Sequence, residues 1–170
     1  AADVGAPLPG REMKIVAGEI WLRASSMAAG YWRDGQLLPL TNDEGWFATR
    51  DRGEWHDGRL TILGRMDNLF FSGGEGIQPE ALERVIVTHP QVSQAFVVPL
   101  EDAEYGQRPV AVVECEPGTD ITLLPEWVQG RLARFEQPVH WLALPSELKN
   151  GGIKISRQAL KQWVNALLRG

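Results

Sequence analysis

The chain has 170 residues, with 22 acidic and 17 basic side chains, so its formal net charge is −5. An apolar fraction of 44% and a charged fraction of 23% are those of ordinary globular proteins and argue against a disordered chain. One cysteine and three histidines exclude an internal disulfide and a Cys/His zinc cluster. The apolar runs are far shorter than the ~20 residues that span a bilayer, so no membrane segment is predicted. A negative net charge without a basic and aromatic stripe argues against nucleic-acid binding.

The charge is distributed unevenly along the chain. Residues 1–66 are nearly neutral, with 9 acids and 8 bases, whereas residues 67–148 hold 13 acids and 4 bases. Residues 149–170 hold no acid and five bases. The plainer interpretation of this basic tail is a solvated helix that balances its own domain. The sharper interpretation is a site for a phosphate or a carboxylate.

Residues 12–66 predict strands and tight turns. Apolar and polar positions alternate with a period of two, as at Glu19–Arg23, which is typical of strands. The pairs Asp34-Gly35 and Asp57-Gly58 suit two-residue hairpin turns, which need positive φ. Since no helix of useful length is visible, this part is predicted to be all-β and barrel-like.

After a boundary at Arg65–Asp67 the pattern changes to strands that alternate with helices, which predicts a layered α/β unit. The predicted elements are a strand at 69–71, a glycine loop at 72–76, a helix opened by Pro79 and ending before Pro90, strands at 92–100 and 109–115, a helix from Pro125 through Leu132, a strand at 139–144 and a last helix capped by Ser156. The predicted fold class is therefore α+β, with a β-rich segment at 1–66 and a small α/β domain at 67–170.

Asp51 and Arg65 are candidates for one binding site. An aspartate at the end of a strand can accept hydrogen bonds from both hydroxyls of a ribose. The hairpin between them brings its two ends together, so Asp51 and Arg65 could flank one ligand, and an arginine offers donors to phosphate or ribose oxygens. The plainer alternatives are a turn aspartate and a surface ion pair of little energetic value.

Two loops are further candidates. Gly73, Gly74 and Gly76 would let the backbone approach a ligand closely, although they match neither the P-loop nor the dinucleotide fingerprint, and a hairpin loop is an equal alternative. Lys149 and Lys154 flank a glycine-containing loop before the last helix. Such a lysine can reach a site in another domain and stabilise charge that grows on a phosphoryl group, or it can simply be solvated. The remaining candidates are interpreted as structural: His56, His89, His140 and Cys115.

Taken in order, these motifs resemble the C-terminal part of the adenylate-forming enzymes, the family of acyl-CoA synthetases, nonribosomal adenylation domains and luciferases. The resemblance covers essentially the whole chain, and the segments 70–79 and 148–157 look most like a bacterial acid–CoA ligase of this family. Its main motifs are Gly30-Tyr31-Trp32, Gly45-Trp46-Phe47-Ala48-Thr49-Arg50-Asp51, Gly64-Arg65-Met66-Asp67, the run from Gly73 to Glu83, and Lys154-Ile155-Ser156-Arg157.

The resemblance implies a cytoplasmic, AMP-forming acid–thiol ligase that uses ATP with Mg²⁺ and CoA. A carboxylate attacks the α-phosphate of ATP to give an acyl-adenylate and pyrophosphate. The small C-terminal domain then swings, and the CoA thiol displaces AMP. By position, the implied roles are ribose binding for Asp51, contact near the ribose and phosphate for Arg65, a hinge at Asp67, the pantetheine channel for Gly73, Gly74 and Gly76, and adenylation for Lys154.

Two positions depart from the family pattern. Arg50 stands where the family usually has glycine, which places bulk and charge beside the implied ribose site. Ile153 precedes Lys154 where the family usually has glycine, so Lys149 is a weaker rival for the catalytic lysine.

The family's phosphate loop and most of its acyl pocket have no match in this sequence. The resemblance therefore implies the last third of an enzyme: the end of a large domain at 1–66 and a mobile lid at 67–170, inactive without the rest. Three alternatives stay open: another acyl- or aryl-CoA synthetase, an amino-acid adenylation domain, and a freestanding interaction module that docks through its basic tail.

Overall fold

The computed structural model describes residues 2–149 and 154–169. The chain divides into two compact units, Ala1–Asp67 and Asn68–Gly170, and each has a five-stranded sheet of its own. Among the described helices, none is long and apolar enough to cross a bilayer.

The first unit is built from strands, as predicted. Its main sheet is antiparallel, with the strand order β1-β7-β6-β3-β2, so β1 and β2 are the edges, while β4 and β5 form a separate hairpin. The strands are β1 (Ala2–Gly5), β2 (Arg11–Val16), β3 (Glu19–Ala24), β4 (Gly30–Arg33), β5 (Gln36–Pro39), β6 (Phe47–His56) and β7 (Arg59–Arg65).

Both predicted hairpin turns are confirmed. Asp34 and Gly35 connect β4 to β5 with φ values of 49° and 76°. Asp57 and Gly58 connect β6 to β7 with φ values of 48° and 74°. Positive φ at both central residues matches the right-handed twist of the flanking strands, which is why this turn joins adjacent antiparallel strands. The second turn sets the register of β6 against β7 from His56↔Arg59 to Gly53↔Ile62, beyond which an irregularity shifts the pairing by one residue.

The second unit combines strands and helices, and its fold class agrees with the prediction. Its sheet has the order β10-β11-β8-β9, and β12 pairs in parallel with β11. The elements are β8 (Phe70–Ser72), β9 (Glu75–Ile77), α1 (Pro79–Ile86), β10 (Val92–Asp102), β11 (Gly106–Cys115), α2 (Leu124–Val128), β12 (His140–Ala143) and α3 (Arg157–Arg169).

Strand β11 is buried on both faces, because helices cover the two sides of the sheet. Ala111 and Val113 pack in one apolar cluster with residues of α1 and α2. Val110 and Val112 pack in a second cluster with Leu160 of α3 and its neighbours. All four strand residues are at most 1% exposed. A continuous apolar run, rather than an alternating one, is the pattern expected of a strand covered on both faces.

The predicted helix ends are confirmed for α1 and α3 but not for α2. Pro79 is the first residue of α1, and Ser156 Oγ accepts a hydrogen bond from Ala159 N at 3.3 Å before α3. The prediction that α2 extends to Leu132 is wrong, because α2 ends at Val128. Gln129 is extended, with ψ 132°, and Gly130 has φ 77°, so neither continues the helix.

Candidate functional site

Asp51 and Arg65 lie directly opposite each other on β6 and β7. Arg65 Nη1 donates a hydrogen bond to Asp51 Oδ1 at 3.1 Å and another to the carbonyl oxygen of Thr49 at 2.9 Å. The Asp51 side chain keeps 34% of its exposure, so its carboxylate remains accessible to a ligand. The structure thus brings together the two residues that the sequence placed at the ends of one hairpin.

Asp51, one member of this pair, lies in a bulge of β6. Between the pairs Glu19↔Arg52 and Trp21↔Ala48, β6 holds three residues against one on β3. Thr49 Oγ1 stabilises the bulge, since it donates to the carbonyl oxygen of Ile20 at 2.8 Å and accepts from Asp51 N at 3.1 Å. Bulges of this kind re-aim a side chain at the edge of a site.

Arg50 occupies the left-handed position of the bulge, with φ 63°. A side chain disfavours this conformation, whereas glycine adopts it freely, so the usual glycine of the family has a physical reason here. Arg50 N donates to Glu19 Oε1 at 2.8 Å, which fixes the backbone. At this departure from the family pattern, Arg50 therefore holds a backbone conformation that is unfavourable for a side chain.

Two arginine side chains contact the carboxylate of Asp67. Arg50 Nη2 donates to Asp67 Oδ1 at 2.5 Å, and Arg65 Nη2 lies 3.6 Å from Asp67 Oδ2. The hydrogen bond from Arg50, opposed by partial desolvation and aided by the charges of both arginines, holds the pKa of Asp67 below its ordinary value of 3.8. Arg65 therefore contacts both carboxylates, Asp51 and Asp67.

The glycine loop is the turn of the β8–β9 hairpin, so the hairpin alternative is correct for its backbone. Gly73 and Gly74 have φ values of 58° and 86°, which glycine adopts without cost. A Cβ on Gly73 would also lie 3.1 Å from the Tyr105 ring. Gly76 has neither positive φ nor a crowded Cβ position, so within the described residues the structure does not require glycine there.

A cavity of about 520 Å³ adjoins Gly73 and contains two arginines that the sequence analysis did not select. Arg108 lies over the Tyr105 ring at 4.8 Å, and its Nε atom is buried without a hydrogen-bond partner in the part of the chain described. Arg134 and Phe135 line the same cavity. In the sequence, the available signal was that the acidic segment 67–148 holds only four bases, two of which are Arg108 and Arg134. That these two line one cavity depends on the fold.

The two candidate lysines differ in their surroundings. Lys149 Nζ lies 2.5 Å from Glu114 Oε1 and is therefore neutralised by a carboxylate. Lys154 is exposed, and its side chain forms no ion pair with the residues described. Ile153, the departure before Lys154, lies outside the described residues. Of the two lysines, Lys149 is therefore the one with a carboxylate partner among the described residues.

The segment that follows Lys154 is anchored firmly. Ile155 packs against the apolar cluster around Leu160, and Arg157 binds both carboxylate oxygens of Glu83. Arg157 Nη1 also donates to the carbonyl oxygen of Val97 at 2.9 Å. Burial lowers the pKa of Arg157, but the hydrogen bonds and charge of Glu83 outweigh burial and raise it above the ordinary value.

The candidate residues divide between the two units. Asp51, Arg65 and Asp67 belong to the first unit, whereas the glycines of the β8–β9 turn and Lys154 belong to the second. Within the described ranges, no three His, Cys, Asp or Glu side chains are grouped to bind a metal ion.

Comparison with known proteins identifies relatives along almost the whole chain. Residues 81–154 match the AMP-binding enzyme C-terminal domain. The chain is 73% identical to a 2-succinylbenzoate–CoA ligase of Salmonella typhimurium over 162 residues and 70% identical to that of Escherichia coli over 163 residues. These matches cover 95% and 96% of this chain, which spans 36% of each relative's length.

Solved structures agree with this match. The E. coli enzyme MenE with bound OSB-AMS superposes with a TM-score of 0.86 at 67% identity, over 98% of this chain and 36% of that one. The o-succinylbenzoate CoA synthetase of Bacillus subtilis, in complex with the acyl-adenylate OSB-AMP, has a TM-score of 0.81 at 29% identity over 94% of this chain. The chain belongs to the adenylate-forming enzymes and corresponds to the C-terminal portion of their 2-succinylbenzoate–CoA ligases.

Proposed function

We propose that this chain is the C-terminal portion of an AMP-forming acid–CoA ligase that acts on 2-succinylbenzoate in menaquinone biosynthesis. The observation that carries the proposal is the 73% identity to a relative of that name over 95% of the chain. In this reaction the acid carboxylate attacks the α-phosphate of ATP, and pyrophosphate leaves. The CoA thiol then attacks the acyl carbon, and AMP leaves with the pair of electrons of the broken C–O bond. We place this reaction in the cytoplasm, where ATP and CoA are available.

In the first half-reaction, Asp51 would accept hydrogen bonds from the ribose hydroxyls. Its accessible carboxylate and its cross-strand partner Arg65, 3.1 Å away, support this role. The ammonium group of Lys154 would lie beside the phosphoryl oxygens and stabilise the negative charge that they gain in the pentacovalent transition state. Its exposure and its lack of a carboxylate partner among the described residues support that assignment over Lys149.

In the second half-reaction, the cavity beside Gly73 would receive CoA. Arg108 and Arg134 provide donors for phosphate oxygens, and the aromatic rings of Tyr105 and Phe135 provide flat apolar surfaces. The buried Nε of Arg108, which lacks a partner in the described chain, supports a ligand at this place, because such donors are normally satisfied.

Between the half-reactions the lid would turn about Asp67. The proposal assigns residues 1–66 to the end of the large domain and residues 67–170 to the lid. The position of Asp67 in a short 3-10 turn, Met66–Asn68, between β7 and β8 supports a hinge there.

The described residues do not fit a resident Mg²⁺ site. No cluster of three carboxylate, histidine or cysteine side chains is found among them, and Asp51 and Asp67 both face arginine. Magnesium that accompanies ATP would therefore be bound by groups other than these residues.

The test uses a full-length ligase, made by joining this chain to the preceding part of the Salmonella typhimurium relative. We expect it to form AMP and a CoA thioester from 2-succinylbenzoate, ATP and CoA, and to favour this acid over a panel of fatty, aryl and amino acids. This chain alone should catalyse no ATP–pyrophosphate exchange. Preference for another acid would overturn the substrate, and exchange by the isolated chain would overturn the need for the rest of the enzyme.

A further inference from the structure

Arg50 donates a hydrogen bond to Asp67 Oδ1, and it reaches that atom from a strained backbone. Its φ of 63° lies in the left-handed region, which arginine rarely adopts. A strained conformation persists where other contacts hold it, and such strain often accompanies function. Here the holding contacts are Arg50 N to Glu19 Oε1 at 2.8 Å and Arg50 Nη2 to Asp67 Oδ1 at 2.5 Å.

The left-handed backbone determines where the Arg50 side chain points. Asp51, the next residue, faces Arg65 across the β6–β7 ladder. In the described register, Arg50 lies in the bulge and pairs with no residue of β7. Its guanidinium contacts Asp67, which lies two residues after the end of β7. Arg50 therefore bridges the middle of β6 to the end of the unit.

The four side chains form a chain of alternating charge. Arg50 contacts Asp67 at 2.5 Å, Asp67 lies 3.6 Å from Arg65, and Arg65 contacts Asp51 at 3.1 Å. A ligand whose hydroxyls donate hydrogen bonds to Asp51 would compete with Arg65 for that carboxylate. Arg50 contacts Asp67 without sharing in this competition, so its hold on Asp67 does not depend on an occupied nucleotide site.

We propose that Arg50 is a positioning residue that latches Asp67 in the conformation described here and thereby favours one of the two half-reactions over the other. The inference rests on the proposed function, in which the lid turns about Asp67. An interaction made in only one of two conformations shifts their populations by its own free energy. Loss of the latch must then raise the apparent rate of one half-reaction and lower that of the other.

The experiment uses the full-length ligase with three changes at position 50. Arg50→Gly removes the latch and relieves the backbone, Arg50→Asn removes the latch with a residue that tolerates left-handed φ, and Arg50→Lys keeps the positive charge. Asp34→Gly is the matched backbone control, because Asp34 also has a left-handed φ, of 49°, but lies in the β4–β5 turn.

The measured quantity is the ratio of two single-turnover rates: adenylate formation, and thioester formation from supplied acyl-adenylate. We expect Arg50→Gly and Arg50→Asn to change this ratio in the same direction by about two- to fivefold, the effect of one half-exposed ion pair. Arg50→Lys and Asp34→Gly should leave the ratio unchanged. An unchanged ratio in the glycine and asparagine variants, or an equal change in all four, would overturn the proposal.

A second measurement on the same proteins separates the latch from the proposed function. Hydrogen exchange at the amides of residues 66–68 should be about two- to fivefold faster in Arg50→Gly and Arg50→Asn than in Arg50→Lys. If the unmodified ligase carries out neither half-reaction, the proposed function fails while the exchange rates still judge the latch. If exchange is equally slow in all variants, Arg50 does not hold Asp67.

Discussion

Arg157 and Glu83 form a two-point ion pair across 74 positions of the chain, with Nη1–Oε1 and Nη2–Oε2 distances of 2.5 and 3.1 Å. Glu83 Oε1 also accepts a hydrogen bond from Val97 N at 2.7 Å. The pair thus joins the first residue of α3 to helix α1 and to the middle of β10. Because α3 begins three residues after Lys154, this pair fixes the base of the segment that carries the proposed catalytic lysine.

Removal of either partner of this pair should destabilise the second unit. Both side chains are largely buried, at 27% and 14% exposure, so Arg157→Ala or Glu83→Ala leaves an uncompensated charge and should cost about 2–4 kcal/mol of unfolding free energy. Urea denaturation of the single variants and of the double variant measures the coupling, which we expect to reach about 1 kcal/mol or more. Additive effects would contradict a direct interaction. Glu83→Gln, which can still accept from Val97 N, should cost less than Glu83→Ala.

Lys154→Ala in the full-length ligase should impair one half-reaction selectively. Loss of a cation from a phosphoryl-transfer transition state is expected to reduce adenylate formation by about 10²–10³-fold, whereas thioester formation from supplied acyl-adenylate should change little. Rapid-quench measurements of the two steps test this. Lys161→Ala, on α3, is the matched control and should affect neither step. Equal losses in both steps would refute the assignment.

Asp51→Asn should weaken nucleotide binding. An asparagine keeps one acceptor oxygen but loses the charge that strengthens hydrogen bonds to ribose hydroxyls, so we expect the KM for ATP to rise about tenfold or more. Steady-state kinetics over a range of ATP concentrations provide the measurement. Asp57→Asn, in the β6–β7 turn, offers a control with the same chemical change. An unaltered KM in Asp51→Asn would exclude ribose binding by this carboxylate.

Arg108→Ser and Arg134→Ser should weaken the binding of CoA without affecting adenylate formation. If these arginines bind CoA phosphates, the double variant should raise the KM for CoA about tenfold or more, while ATP–pyrophosphate exchange in the presence of the acid stays unchanged. Arg33→Ser, on the exposed β4–β5 hairpin, controls for the loss of positive charge. A parallel loss of exchange activity would instead mean that the arginines act in the first half-reaction or that they maintain the fold.

Asp102→Asn should change the pH dependence of stability. Asp102 accepts hydrogen bonds from the backbone N of Tyr105 and Glu104 at 2.8 and 2.9 Å, and these bonds hold its pKa below the ordinary value of 3.8. A carboxyl whose pKa is depressed in the folded state stabilises the fold above its unfolded pKa, and this stabilisation is lost as the pH falls through the folded value. The variant should therefore be less stable than the parent at pH 6, with a smaller difference near pH 3. A constant difference in urea midpoints would contradict this account.

The residue at position 67 offers a test of the hinge itself. Asp67→Pro fixes φ near −65° and should hinder the turn of the lid, so that at least one half-reaction is lost. Asp67→Asn, which retains a free φ, is the comparison. Full activity of Asp67→Pro in both steps would place the hinge elsewhere.

Several local features could be predicted because the sequence encodes them over a few residues. The Asp-Gly turns at 34–35 and 57–58 follow from the tolerance of these residues for positive φ, and α1 starts at Pro79 because a first helical residue needs no N–H donor. The end of α2 was missed, since the apolar spacing continues to Leu132 although Gln129 and Gly130 leave the helical conformation. The spacing of apolar residues alone does not show that a helix ends at such a point.

By itself, the sequence determined the family motifs, the two-part organisation of the elements, and the approach of Asp51 and Arg65 at the open end of one hairpin. The turn register alone would place Asp51 opposite Gly64, and an irregularity between Arg52 and Gly53 shifts the pairing by one residue to Arg65. Only the tertiary structure decided which side chains at distant positions neutralise each other. Lys149 pairs with Glu114, Arg157 with Glu83, and Arg50 with Asp67, and each pair depends on how separate strands and helices pack. An ion pair requires its two charged groups to lie within about 4 Å of each other. The sequence does not show which distant residues folding brings that close.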